Sequence, residues 1–166
     1  MKYVLILMLL GGSQSFAQQN ATKLYDQFAG DVRDKILYPI ELERLKKPVA
    51  CLIRVLVDPG KNVLEMDMSD SADSTLKAQF VKVKDKLNSK FLSNYLRYDY
   101  RSSSIHTFVI PFSLSIHSIG TGERQAPVQA IEINDVRKYT QFDGKELTGE
   151  VIFLPQIFRE QSVAQR

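Results

Sequence analysis

The sequence predicts an α+β fold, and three observations carry that prediction. Val49 to Met68 reads as two strands joined by a tight turn. Thr107 to Ile116 reads as a further strand. Between them Leu76, Phe80, Val83 and Leu87 recur at spacings of four, three and four, the mark of a helix apolar on one side and suited to lie on a sheet face. A chain of 166 residues fits one domain with an appendage. A hydrophobic fraction of 44% is enough to build a core, and a net charge of only +3 argues against a dedicated nucleic-acid surface.

The N-terminus reads as an address. A short positive start, Met1-Lys2-Tyr3, precedes the apolar run Val4 to Leu10, and Ser15-Phe16-Ala17 offers the small residues that a signal peptidase reads. The run is far short of the roughly 20 residues that span a bilayer. Residues 1–17 are therefore expected to be a signal peptide cleaved after Ala17, and the mature chain to be periplasmic. No cysteine near that site would take a lipid, and no later stretch is long and apolar enough to span a membrane.

Leu24, Phe28, Val32, Lys35-Ile36 and then Leu37 form a helical stripe that ends at Tyr38-Pro39, because the residue before proline is pushed out of the α region. Pro39 can open a short helix over Ile40 to Leu45, with Glu41 and Glu43 near its positive end. In the first strand Val49, Cys51, Ile53, Val55 and Val57 share one face, and in the second Leu64, Met66 and Met68 alternate with Glu65 and Asp67. Asp58-Pro59-Gly60-Lys61 reverses the chain, proline presetting φ and Gly60 tolerating a positive one. As the lone cysteine, Cys51 has no intramolecular disulfide partner, and its inward face makes it a small buried hydrophobe rather than a reactive thiol. After a polar loop, Asp73 or Ser74 can cap the helix from Thr75 to Leu87, whose lysines form a solvated face.

Phe91, Tyr95 and Tyr98 can prolong this helix. With Arg97 and Arg101 the tyrosines would suit stacking on a base or sugar, but packing at the rim of a core is the commoner use. In the strand from Thr107 to Ile116, Phe108, Ile110, Phe112, Leu114 and Ile116 make the apolar face. Pro111 has no N–H for a ladder, which implies a sheet edge. Beyond it Pro127 to Ile133 and Val151 to Leu154 are strand candidates, and Asp143-Gly144 is a turn signal.

The chemistry-bearing patterns are sparse. There is no glycine-rich phosphate loop, no paired metal-ligand spacing and no nucleophile elbow. His106 and His117 are an odd number of positions apart on one strand, so they face opposite sides as solvated strand-end residues. Glu65 and Asp67 lie on an outward strand face, where carboxylates usually serve solubility; a carboxylate pair doing acid-base work is the enzymatic alternative. Neither a metal nor a cofactor is expected.

The order of elements from Ile36 to Ile116 resembles the C-terminal domain of TonB, the periplasmic end of an energy-transducing protein. The matching signals are Tyr38-Pro39 before a short helix, Val55-Leu56-Val57-Asp58 with the turn at Gly60-Lys61, a second strand running into Met68-Ser69-Asp70-Ser71, the helix from Thr75 to Leu87, and a strand containing Ile110-Pro111-Phe112. The resemblance covers about half the chain. It implies a small three-stranded antiparallel sheet with amphipathic helices on one face over residues 18–117, followed by a C-terminal extension over 118–166. It further implies that the last strand lies at a sheet edge and pairs with an extended segment of an outer-membrane receptor or another protein. The partner-binding residues would then be Thr107, Val109, Pro111, Ser113 and Ser115, with Tyr38 and Pro39 beside them. The chain has six prolines, none clustered, so it has no proline-rich spacer of the kind a TonB-type transducer uses. The expected function is thus protein or peptide binding by strand addition, without catalysis. The alternative is a transport component whose membrane anchor is supplied by a partner.

Overall fold

The computed structural model describes residues 22–37, 39–44, 48–92, 105–119 and 138–164. Helix α1 covers residues 22–35 and α2 covers Ile40–Arg44. Strands β1 (Val49–Val57) and β2 (Val63–Met68) form the expected hairpin. Helix α3 (Ser74–Val83) follows and tightens into a 3-10 turn at Lys84–Lys86. Strand β3 runs from His106 to Ile119. The C-terminal part supplies β4 (Gln141–Phe142), β5 (Lys145–Glu146), β6 (Val151–Phe153) and β7 (Ile157–Ala164).

The fold is α+β, but its sheet is five-stranded and mixed rather than three-stranded and antiparallel. The order is β2-β1-β3, with β6 and β7 following one another along the far side of β3. β1 pairs antiparallel with both β2 and β3, whereas β6 and β7 pair parallel with β3. β3 is therefore an interior strand, and the expectation that it lies at an edge is overturned. Residues beyond 117 rejoin the same sheet, so strands from the C-terminal extension complete the structure that residues 18–117 begin.

The physical reason for the misplaced edge is the direction in which Pro111 points. Leu52 directs both its polar backbone groups at Ser69, receiving a hydrogen bond from the Ser69 N–H and donating to the Ser69 hydroxyl. Leu52 is paired with Pro111, so this pair exchanges no ladder bonds, and the polar groups of Pro111 face away from β1. On that side the register jumps from Val109–Phe153 to Phe112–Ile157. The missing N–H of Pro111 thus meets the interruption between β6 and β7. A proline is tolerated inside the sheet because its neighbour is broken at the same level, around Pro155.

Period-2 burial gives the sheet one core face. Val49, Cys51, Ile53, Val55 and Val57 are buried beside Phe108, Ile110, Phe112 and Leu114. Against them pack Tyr25, Phe28 and Val32 of α1, Ile36 just beyond it, Leu42 of α2, and Leu76 and Phe80 of α3. Each fully buried side chain of this size contributes ~1.5–3 kcal/mol relative to exposure. Burial pushes the Cys51 thiol up to about 12, in keeping with an inert residue. Asp73 caps α3 as expected, accepting from the Thr75 N–H at 2.8 Å.

Two local expectations need correction. In the β1–β2 turn it is Lys61 that takes the positive φ, at 69°, and not Gly60. Gly60 sits in a tight space instead: a Cβ there would come within 3.1 Å of the Asn62 amide and 3.2 Å of the Asp58 carboxylate, which close over the turn by hydrogen bonding to each other and would have to shift slightly. His106 is only 3% exposed, packed at the start of β3 opposite Val57, not solvated. The signal peptide, Tyr38, Tyr95, Tyr98 and the strand candidate at Pro127 to Ile133 lie outside the described residues. Among the described residues no helix is long and apolar enough to cross a membrane.

Candidate partner-binding site

The groove between β3 and α1 is built by three features of the sequence. The strict alternation in β3 turns its apolar side chains to the core and leaves Thr107, Val109, Pro111, Ser113 and Ser115 on the opposite face. The backbone groups of these same five residues point away from β1, along the far side of the strand. The stripe on α1 buries Phe28 and Val32, with Ile36 just beyond, in the same core that β3 faces.

The chain's own segment from Val151 to Ala164 fills that groove. Its backbone follows β3 from Thr107–Val151 to Ile119–Ala164, and the Leu154 N–H donates to the Val109 carbonyl at 2.9 Å. Ile157, opposite Phe112, is 2% exposed and joins the core with Leu154. The Arg159 guanidinium donates to the Ile36 carbonyl at 2.6 Å and also to the Arg33 carbonyl. These lie at the C-terminal end of α1, where carbonyls have no helical partner and the helix dipole favours a cation. Where the ladder breaks, the Tyr25 hydroxyl donates to the Pro155 carbonyl. Tyr25 is itself set by its rings' neighbours, edge-on to Phe91 at 5.4 Å between centroids.

Of the residues expected to bind a partner, the structure brings five together and occupies them. Thr107 and Val109 are buried, Pro111 and Ser113 are half-buried, and the Ser113 hydroxyl accepts from Gln156 Nε2 at 2.7 Å. Ser115 is buried with no hydrogen-bond partner on its hydroxyl among the described residues. Pro39 is buried just before α2. Tyr25, Leu154, Ile157 and Arg159 have no part in the site expected from sequence. Ile157 and Arg159 sit two apart, a period-2 spacing, but Glu160-Gln161-Ser162 beyond them carries no alternation that would mark a strand.

Backbone pairing along β3 holds most of this segment's length, with Ile152 packed at the margin of the core. Among the described residues its fully buried apolar side chains are Leu154 and Ile157, worth roughly 3–6 kcal/mol together. Phe153 and Phe158 face the other way and are 65% and 48% exposed. Far more of the core is held by β1, β3 and the helices.

The sheet face away from the main core carries a second polar cluster. Arg54 bonds Asp67 through Nε at 3.1 Å and Nη2 at 2.6 Å, and Nη2 also reaches Glu65 at 3.0 Å. The Phe142 ring lies 4.6 Å from the guanidinium carbon, a cation–π contact. The β4–β5 turn that delivers Phe142 is held by Asp70, whose carboxylate accepts from Lys77 and from the N–H groups of Asp143 and Gly144. Carboxylate oxygens of Glu65, Asp67 and Asp143 come within 4.8 Å of one another, so these three are the described residues best placed for a cation. Arg54 already engages two of them. Burial pushes the Asp67 carboxyl up to about 6 against the pull of Arg54.

No protein-family model matches the chain, and neither a curated protein nor a solved structure matches it.

Proposed function

We propose that this is an exported, non-catalytic module that binds an extended segment of a protein partner by strand addition to β3. One observation carries the reading: a segment of the chain itself lies along β3 in the manner such a ligand would adopt. Backbone pairing supplies the affinity and a few side-chain seats supply the selectivity, as in other strand-addition modules. The resemblance of residues 36–116 to the TonB C-terminal domain points to the same mode and to an outer-membrane protein as the partner class. Binding at this place requires Val151–Ala164 to give way, as a segment at the outer side of the sheet can do by local opening without the core unfolding.

The test is a panel of extended peptides titrated onto the chain, with amide chemical shifts as the readout. Shifts gathered on β3, β7 and the end of α1 support the reading. Peptides that bind while shifting only β2 or the Arg54 face would refute it, as would a panel that fails to bind at all.

A further inference from the structure

The seats that hold Val151–Ala164 define what the groove recognises. We infer that it selects an extended segment of the pattern proline–any–aliphatic–any–arginine, running parallel to β3, and that the C-terminal segment Pro155-Gln156-Ile157-Phe158-Arg159 is its resident copy. This rests on the strand-addition reading above and adds to it the chemistry of the partner.

Each position follows from a contact. The aliphatic residue enters the core beside Phe112, as Ile157 does at 2% exposure, and a polar side chain there would lose its water without a partner. Two residues later the side chain again faces α1, where Arg159 meets the Arg33 and Ile36 carbonyls. An acidic residue in that place would face carbonyl oxygens and the negative end of the helix, so the groove rejects it. Proline is admitted at the first position because the ladder is already broken opposite Pro111, and Tyr25 accepts the role of hydrogen-bond donor to the carbonyl left outside it. The intervening positions select less: Gln156 is exposed and makes one hydrogen bond, to the Ser113 hydroxyl, and Phe158 is 48% exposed.

The resident segment is tethered, so it competes at an effective concentration in the millimolar range or above. A free ligand pays for the closed population, and its apparent affinity falls by the fraction of molecules in which the groove is open. Weakening the resident anchor should therefore tighten binding of a ligand that keeps its own.

The experiment uses the full chain carrying Arg159→Ala and a synthetic peptide of Leu154–Ala164 sequence, titrated by fluorescence anisotropy. The variant should bind this peptide at least about tenfold more tightly than the unaltered chain does, the least effect expected from losing a charged hydrogen bond. The same peptide with its arginine replaced by alanine should bind the variant at least about tenfold more weakly. Equal binding of the two peptides would overturn the pattern, and so would failure of both. Hydrogen exchange on the unaltered chain gives a second decision that needs no variant. Amides of β7 should exchange ahead of those of β1; exchange only together with β1 would show an integral strand and overturn the inference. If these fail while unrelated extended peptides still shift β3 amides, strand addition stands and the pattern alone is lost. If no peptide of any sequence shifts them, the functional reading falls as well.

Discussion

A proline scan along β3 separates an interior strand from an edge. The backbone groups of Pro111 and Ser113 point to the same side, towards β6 and β7. At Pro111 the neighbouring strand is interrupted, whereas Ser113 is in register with Phe158 of β7. Ser113→Pro therefore removes an N–H from a continuous parallel ladder and leaves a carbonyl on β7 without its donor. Proline within regular structure costs about 3 kcal/mol or more once the lost bond and the ring's clash are counted. For a chain of this size about 2–4 °C is lost per kcal/mol, so the melting temperature should fall by roughly 6–12 °C. Pro111→Ala is the control. It restores an N–H where no ladder partner waits, so no bond is regained and the melting temperature should not rise. Thermal melts followed by circular dichroism measure both. A Ser113→Pro protein that melts with the unaltered chain would show that β7 does not pair at this level, and the interior position of β3 would be wrong.

Three further outcomes follow from other parts of the structure. Cys51 should react slowly with a maleimide in the folded protein and quickly in denaturant, since it is buried and its thiol is pushed up to about 12; equal rates would place the β1 faces the wrong way round. Asp70→Ala removes the carboxylate that receives Lys77, Asp143 and Gly144, and should cost ~0.5–1.5 kcal/mol in urea unfolding while raising the exchange of β4 and β5 amides; unchanged exchange would deny Asp70 its anchoring role. Asp67 is raised from the ordinary 3.8 to about 6, so the folded chain keeps a proton that the unfolded chain releases. Its contribution is full below the ordinary value and is lost as pH rises through the folded one, opposite in sign to Asp58 and Asp70, which are lowered by their hydrogen bonds to Asn62 and to Lys77. Asp67→Asn should remove that downward component from urea midpoints measured between about pH 4 and pH 7; a profile left unaltered would mean that Asp67 is ionised throughout.

Much of the candidate site was legible in one half and not in the other. The alternation in β3 divides its faces, but the sheet edge read from Pro111 is wrong: its missing N–H marks a break in pairing inside the sheet. What it cannot say is on which strand the break lies. A missing N–H is satisfied equally by solvent at an edge and by an interruption in a neighbour, and Pro155, far along the chain, supplies the interruption. Arg159 is illegible for a related reason. An arginine in a polar stretch looks like any solvated charge until the carbonyl end of α1 is placed beside it.

Local periodicity by itself determined the α1 stripe, the β1–β2 hairpin, the capped α3 and the buried side of Cys51, because each depends on residues a few positions apart. The tertiary structure alone decided the neighbours of β3, the burial of His106 and the use of the C-terminal segment. A period of two assigns a side chain to a face of a sheet but leaves the strand on either flank undefined. Parallel partners are joined through long crossovers, here from Ile119 to Val151, and no local pattern records where such a connection returns.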